Sequence, residues 1–271
     1  LVVAENCAVS ADGRITPADK GLYADEQVGA WSDWINEIYS HSNSAAGIQL
    51  NHAGRRGATE PRTWGLDRPL REGGWPLLSA SALPYTPRSQ TPKEMDRADM
   101  DRVIGDFVEA AKRVDKAGFD VLILNMAQGY LLASFLSPLT NLRVDDYGGD
   151  LAGRAKFPME VFEAVRAVWP AGKALAVSVN AEDNVKGGST IKDAIEFARM
   201  LKDRGCGLVH VLAGYSVPYG DLPYGRGFLT PLSDRIRNEV GIATMVGGYL
   251  TTSNDANTVL AAGKADLCVM S

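Results

Sequence analysis

Residues 97–124 read RADMDRVIGDFVEAAKRVDKAGFDVLIL, one full repeat of the pattern that decides the fold. Val103, Phe107, Ala110, Ala111 and Val114 recur at helical spacing and form an apolar stripe, with Asp101, Arg102, Asp106, Glu109 and Lys116 outside it. Gly118 stands where a helix ends with least strain, because glycine accepts left-handed backbone freely. Val121–Leu124 follows as an uninterrupted apolar run, the mark of a strand buried on both faces. A helix leading into such a strand is one step of a parallel α/β sheet.

The same alternation extends in both directions. Apolar runs stand at Leu1–Ala4, Gly47–Leu50, Leu175–Val179, Leu208–Leu212, Ala243–Val246 and Asp266–Met270. Helical periodicity covers Asp25–His41, Arg97–Ala117, Arg154–Val168, Thr190–Arg204, Leu232–Glu239 and Ser253–Ala262, with Gly205 and Gly263 ending two of these segments as Gly118 does. Counting the run at Val121, seven strands and six helices are one strand and two helices short of a (β/α)8 TIM barrel. A doubly wound sheet is the competing arrangement, but no G-x-G-x-x-G follows the first run. The expectation is a single α/β TIM barrel over residues 1–271, with its first strand before Leu1 and its last helix after Ser271, as in a piece of a longer chain. Two long connections, 53–96 and 126–153, follow strands and so belong to the rim that carries barrel chemistry; the first reads as a lid.

Composition narrows the function classes. With 45% hydrophobic and 23% charged residues the chain can bury a sizeable core. A net charge of -5 offers no basic face for nucleic acid or acidic lipid, so neither is an expected partner. No apolar run approaches the roughly 18 residues of a membrane span. Cys7, Cys206 and Cys268 are odd in number and lack metal-ligand spacing, which points to a reduced, cytoplasmic setting with no disulfide framework and no metal.

The motifs on the rim carry a resemblance. Gly47-Ile-Gln-Leu-Asn-His-Ala-Gly-Arg55, Gly129-Tyr-Leu-Leu, Phe135-Leu-Ser-Pro-Leu-Thr-Asn141, Asp146-Tyr-Gly-Gly149 and Gly13-Arg-Ile-Thr16 resemble, in order and spacing, the Old Yellow Enzyme family of FMN-dependent oxidoreductases. Arg14-Ile-Thr-Pro, Tyr23-Ala-Asp-Glu, Trp75-Pro-Leu and Leu131-Leu-Ala-Ser-Phe look more narrowly like the reductase-like C-terminal domain of salicylyl-CoA 5-hydroxylases and 2-aminobenzoyl-CoA monooxygenase/reductases. The resemblance implies a hydride relay from NAD(P)H through FMN to the β-carbon of an activated alkene, with the protein polarising a carbonyl and supplying a proton. It also implies a small-molecule substrate and either a homo-oligomer or fusion to a flavin monooxygenase domain.

Carried over by position, Gln49 matches a glutamine on the flavin pyrimidine edge, and an amide offers both donor and acceptor there. Tyr130 matches the tyrosine near the substrate that serves as proton donor in part of the family. Gly247 and Gly248 match the turn whose amides hold the flavin phosphate. His52 and Arg55 belong to the rim signature, with Arg55 assigned to substrate. Asn125 and Gln128 stand where the family commonly has two histidines, or histidine and asparagine, to bind the carbonyl. Ser178 stands where it has an arginine beside the flavin, and Asn6 replaces a smaller residue. Amides still donate hydrogen bonds, but they cannot become cationic.

Each of these residues also has a purely structural reading. Gln49, Asn125 and Gln128 could be satisfied inside the barrel, Tyr130 could simply pack, and Gly247–Gly248 could form a tight turn. His41 and His210 read as a surface helix residue and a strand residue without a role. Asp145-Asp-Tyr-Gly-Gly149 with Arg154 reads as a loop lock. Arg55, Arg56, Arg62, Arg68 and Arg71, with Trp64 and Trp75, read as a solvated loop face or as a collar for the phosphates and adenine of a CoA thioester. The leading expectation is an FMN-dependent, NAD(P)H-using reductase of an activated C=C bond in an aromatic-derived CoA thioester. The alternative is a barrel that has lost flavin and serves a structural, dimerising or ligand-binding role.

Overall fold

Seven parallel strands form one sheet in a computed structural model that describes residues 1–270. In chain order the elements are β1 (Val2–Ala8), α1 (Gln27–His41), β2 (Ala46–Asn51), a two-stranded ribbon of β3 (Leu78–Ser79) and β4 (Lys93–Glu94), α2 (Arg97–Ala117), β5 (Val121–Met126), α3 (Leu131–Leu136), α4 (Leu151–Val168), β6 (Ala174–Asn180), α5 (Ile191–Asp203), β7 (Leu208–Leu212), α6 (Thr230–Ile236), β8 (Ala243–Val246), α7 (Ser253–Ala261) and β9 (Leu267–Cys268). The sheet order is β1-β2-β5-β6-β7-β8-β9, so each strand pairs with the next large strand along the chain. One cavity touches both edge strands, β1 and β9, so the sheet curls into a partial barrel of the TIM class.

Alternation along each strand divides the core into two faces. Ile123, Ala176, Leu208 and Met245 pack together inside the curl, while Leu122, Leu124, Val177, Val209 and Val211 face the helices. The stripe on α2 is buried as its spacing requires, and Gly118 ends that helix at φ 104°. Asp96 opens it with a reciprocal capping box: its carboxylate accepts from the Asp99 amide, and Asp99 accepts from the Asp96 amide. Trp31, Trp34 and Phe119 meet at centroid distances of 5.8–5.9 Å and fasten α1 to the start of β5.

Where the apolar runs predict strands, strands are present. Differences fall at the ends and in the connections. β1 runs to Ala8, beyond the apolar stretch, because Cys7 and Ala8 pair with Leu50 and Asn51. The 126–153 connection contains α3, and 53–96 contains the short ribbon; both are too brief to leave a periodic signature. The segment expected as Leu232–Glu239 splits into α6 and a π-helical turn at Arg237–Gly241. Arg154 does lock the loop before it, donating to the carbonyls of Leu136 and Gly149 at 2.8 and 2.7 Å. No helix of the described residues is long and apolar enough to cross a membrane.

Phe107 is fully buried on α2, whereas Asp96 acts only at its end. Phe107→Ala should therefore cost about 3–5 kcal/mol in urea unfolding, and Asp96→Ala about 1 kcal/mol. Comparable losses at the two positions would contradict this division between core and cap.

Candidate active site

The parallel register brings polar residues from five strands into one layer at the C-terminal end of the sheet. Asn125 on β5 pairs with Ser178 on β6, and Ser178 with His210 on β7. Gln49 on β2 and Asn6 on β1 complete the layer. Their side chains form a continuous belt. The Ala127 amide donates to Asn125 Oδ1 at 3.0 Å, and Asn125 Nδ2 donates to Asn6 Oδ1 at 3.0 Å. Gln49 Nε2 donates to the same Asn6 oxygen at 2.8 Å. Ser178 Oγ donates to Gln49 Oε1 at 2.5 Å and lies 3.1 Å from His210 Nδ1.

Asn6, Gln49 and His210 of this belt also line a cavity of about 770 Å³ that reaches both edge strands, β1 and β9. Ile123, Leu212 and Met245 supply apolar walls, Asn6, Gln49 and His210 a polar edge, and Gly247 and Gly248 a backbone turn. Among the described residues the lining has one carboxylate, Glu5, and no lysine or arginine. Burial pushes the His210 imidazole down to about 4, so it is neutral near pH 7. The polar edge is therefore uncharged.

Arginines lock the rim beside the cavity instead. Arg56 is 7% exposed and forms a bidentate pair with Asp67, with its Nη2 2.8 and 2.9 Å from the two carboxylate oxygens. Its Nη1 donates to the Gln128 carbonyl at 2.5 Å. The guanidinium lies 4.4 Å from the ring centre of Tyr85, 5.1 Å from Tyr130 and 5.9 Å from Tyr215. Arg55 donates to the carbonyls of Ser216, Leu83 and Pro84. Two adjacent arginines thus tie together 53–96, the turn before α3 and the loop after β7. Gly129 is forced in that turn, since any Cβ there would run into the Tyr215 carbonyl.

The residues singled out in the sequence do not all meet at the cavity. Gln49, Gln128, Gly247 and Gly248 line the cavity. Asn125 and Ser178 are buried outside that lining, engaged in the belt. Arg55, expected to contact substrate, is 3% exposed and holds loop carbonyls, because three backbone oxygens converge on its guanidinium. Tyr130 is 8% exposed with its ring beside Arg56; burial raises its phenol above the ordinary value against the pull of Arg56, so the proton stays on. His52 is buried, accepts from the Gly54 amide through Nδ1 and leaves Nε2 without a partner. Arg62, Arg68 and Arg71 remain exposed with Trp64. Sequence reasoning passed over His210, although a lone polar residue on the inward side of an apolar strand was the available signal.

Burial also pushes His52 from the ordinary 6.5 down to about 4. Above pH 6.5 neither folded nor unfolded chain protonates it appreciably. Between about 6.5 and 4 the unfolded chain takes up the proton first, so stability falls as pH falls. The His52 share of this loss should be on the order of 3 kcal/mol. Urea unfolding of wild type and His52→Gln at pH 7 and pH 4 measures it, and an identical pH dependence in both proteins would contradict the assignment.

Comparison with known proteins agrees with this architecture. The sequence profile of the NADH:flavin oxidoreductase / NADH oxidase family matches residues 1–271. The chain is 36% identical over 267 residues to an NADPH dehydrogenase of Geobacillus sp. (strain WCH70), covering 98% of this chain and 73% of that protein. It is 37% identical over 270 residues to an NADPH dehydrogenase of Listeria welshimeri, covering 100% and 75%. Among solved structures, a complex of 2-naphthoyl-CoA reductase with 2-naphthoyl-CoA superposes with TM-score 0.87 at 23% identity, over 100% of this chain and 42% of that one. Morphinone reductase in complex with tetrahydroNAD superposes with TM-score 0.79 at 22% identity, over 98% and 72%. At these identities the structures attest the shared fold, and the sequence match carries the conclusion: the chain belongs to the NADH:flavin oxidoreductase / NADH oxidase family, the Old Yellow Enzyme family, whose cofactors are FMN and NAD(P)H.

Proposed function

We propose that this chain reduces an activated C=C bond conjugated to the carbonyl of a CoA thioester, with FMN in the 770 Å³ cavity and NAD(P)H as reductant. The observation that carries the reading is the uncharged polar edge beside a glycine turn at the C-terminal end of a parallel sheet. The residues present fit the flavin ring. Gln49 uses one amide hydrogen on Asn6 and keeps the other, Asn6 keeps its Nδ2, and Ile123 and Met245 offer apolar surface to a planar ring. Gly247 and Gly248 present backbone without side chains, which suits close approach of a phosphate.

FMN, when bound, supplies hydride transfer. The chain supplies position and protons. Gln128 lines the cavity in a left-handed conformation, held by Arg56 on its carbonyl and Asn180 on its amide, so its side-chain amide is placed to donate to a substrate carbonyl. Tyr130 retains its phenolic proton beside Arg56 and serves as the proton source. Asn125 and Ser178 act through the belt, fixing Asn6 and Gln49. Residues 53–96 form the lid, and the exposed Arg62, Arg68 and Arg71 with Trp64 suit the phosphates and adenine of CoA. The CoA complex of the structurally similar 2-naphthoyl-CoA reductase supports this substrate class.

The test is extraction and chromatographic identification of flavin from the purified full-length protein, followed by NADPH consumption with an aromatic or 2-enoyl-CoA. About one FMN per chain and thioester-dependent consumption are expected. Tyr130→Phe should lower the rate about 10²-fold or more if it donates the proton. Protein that stays colourless with added FMN would overturn the proposal.

A further inference from the structure

The belt has a direction, and that direction decides the state of a residue with no assigned role. It begins at a donor that cannot reverse. The Ala127 backbone N–H points at the Asn125 side chain, so Asn125 turns its oxygen toward that amide and its NH2 toward Asn6. Asn6 must then present its oxygen, and Gln49, sharing that oxygen, must present its NH2 there and its own oxygen to Ser178. An amide oxygen only accepts, so the single Ser178 hydroxyl proton lies in the 2.5 Å contact with Gln49. Ser178 Oγ can therefore only accept from His210 Nδ1, 3.1 Å away. A neutral imidazole carries one N–H, and here it is on Nδ1. His210 lines the cavity, and its Nε2 has no hydrogen-bond partner among the described residues.

We infer that His210 is a cofactor-orienting residue whose bare Nε2 is the cavity's built acceptor for a ring N–H flanked by carbonyls, the imide of the flavin. Resting on the FMN reading above, this pairs His210 with the remaining Gln49 amide hydrogen. One offers an acceptor and the other a donor, the complement of an N–H beside a C=O. The other acceptors of the belt are already engaged, which leaves His210 as the group that discriminates for a donor. Burial keeps the ring neutral near pH 7, so the lone pair remains available.

Two measurements on the full chain test this separately. In 15N-histidine-labelled protein, long-range proton–nitrogen correlations should show His210 protonated on Nδ1 and bare on Nε2, identified by its loss in His210→Gln. Ser178→Ala should return the ring toward the Nε2–H tautomer that free histidine prefers. A protonated Nε2 in wild type overturns the belt's direction and the inference with it. Fluorescence titrations with FMN and N3-methyl-FMN then test the ligand. Wild type should bind FMN at least about ten-fold more tightly, in line with one buried hydrogen bond. His210→Leu should lose that preference and His210→Gln, which can still present an acceptor, should retain part of it. Equal binding of the two flavins by wild type overturns the inference while leaving the FMN reading intact. Uptake of neither flavin overturns both the FMN reading and the imide assignment, whereas the resonance result still decides the tautomer.

Discussion

One backbone amide, that of Ala127, orients five side chains drawn from five strands. Its bond to Asn125 Oδ1 leaves no freedom to the amides of Asn125, Asn6 and Gln49, to the hydroxyl of Ser178 or to the ring of His210. A buried polar layer is stable only when every donor meets an acceptor, and a partly satisfied network is worse than an apolar one. Each bond within the belt joins a donor to an acceptor without a single charge, and the groups left over, Asn6 Nδ2, one Gln49 amide hydrogen and His210 Nε2, belong to side chains that line the cavity. The belt can therefore lie above the apolar layer of Ile123, Ala176, Leu208 and Met245 with no ion to desolvate.

The positive charge on this rim sits to one side. Arg55 and Arg56 are buried, yet every hydrogen bond they make is to a carbonyl or to Asp67, and three tyrosine rings surround Arg56. These arginines define the shape of the loops at the cavity mouth, and Tyr130 and Gln128 inherit their positions from them. The two polar groups are separated in space: a neutral belt along the strands, and beside it a cationic lock that orders the loops.

Much of this fold is visible in the sequence because burial on both faces leaves parallel strands as bare apolar runs, and the stripe on α2 and the terminal glycines leave the helices equally plain. α3 and the β3–β4 ribbon are not visible, since six and two residues are too few for a period. Within the site, Gln49 and the Gly247–Gly248 turn stand out through their motifs and do line the cavity. The arginine loop misleads, because five arginines in a polar segment look solvated until backbone carbonyls converge on two of them. His210 is the instructive omission. Its state depends on residues 6, 49, 125 and 178, which are far apart in the chain and meet only through strand register.

The polar edge of the cavity, Asn6, Gln49 and His210, is neutral and holds no cation to stabilise negative charge on a bound ring. The most direct measurement is the midpoint potential of FMN bound to the full-length protein, against free FMN in the same buffer. The uncharged edge, with Glu5 nearby, predicts a bound potential equal to or below that of free FMN. A bound potential well above the free value would mean that positive charge faces the ring and that the edge is not neutral.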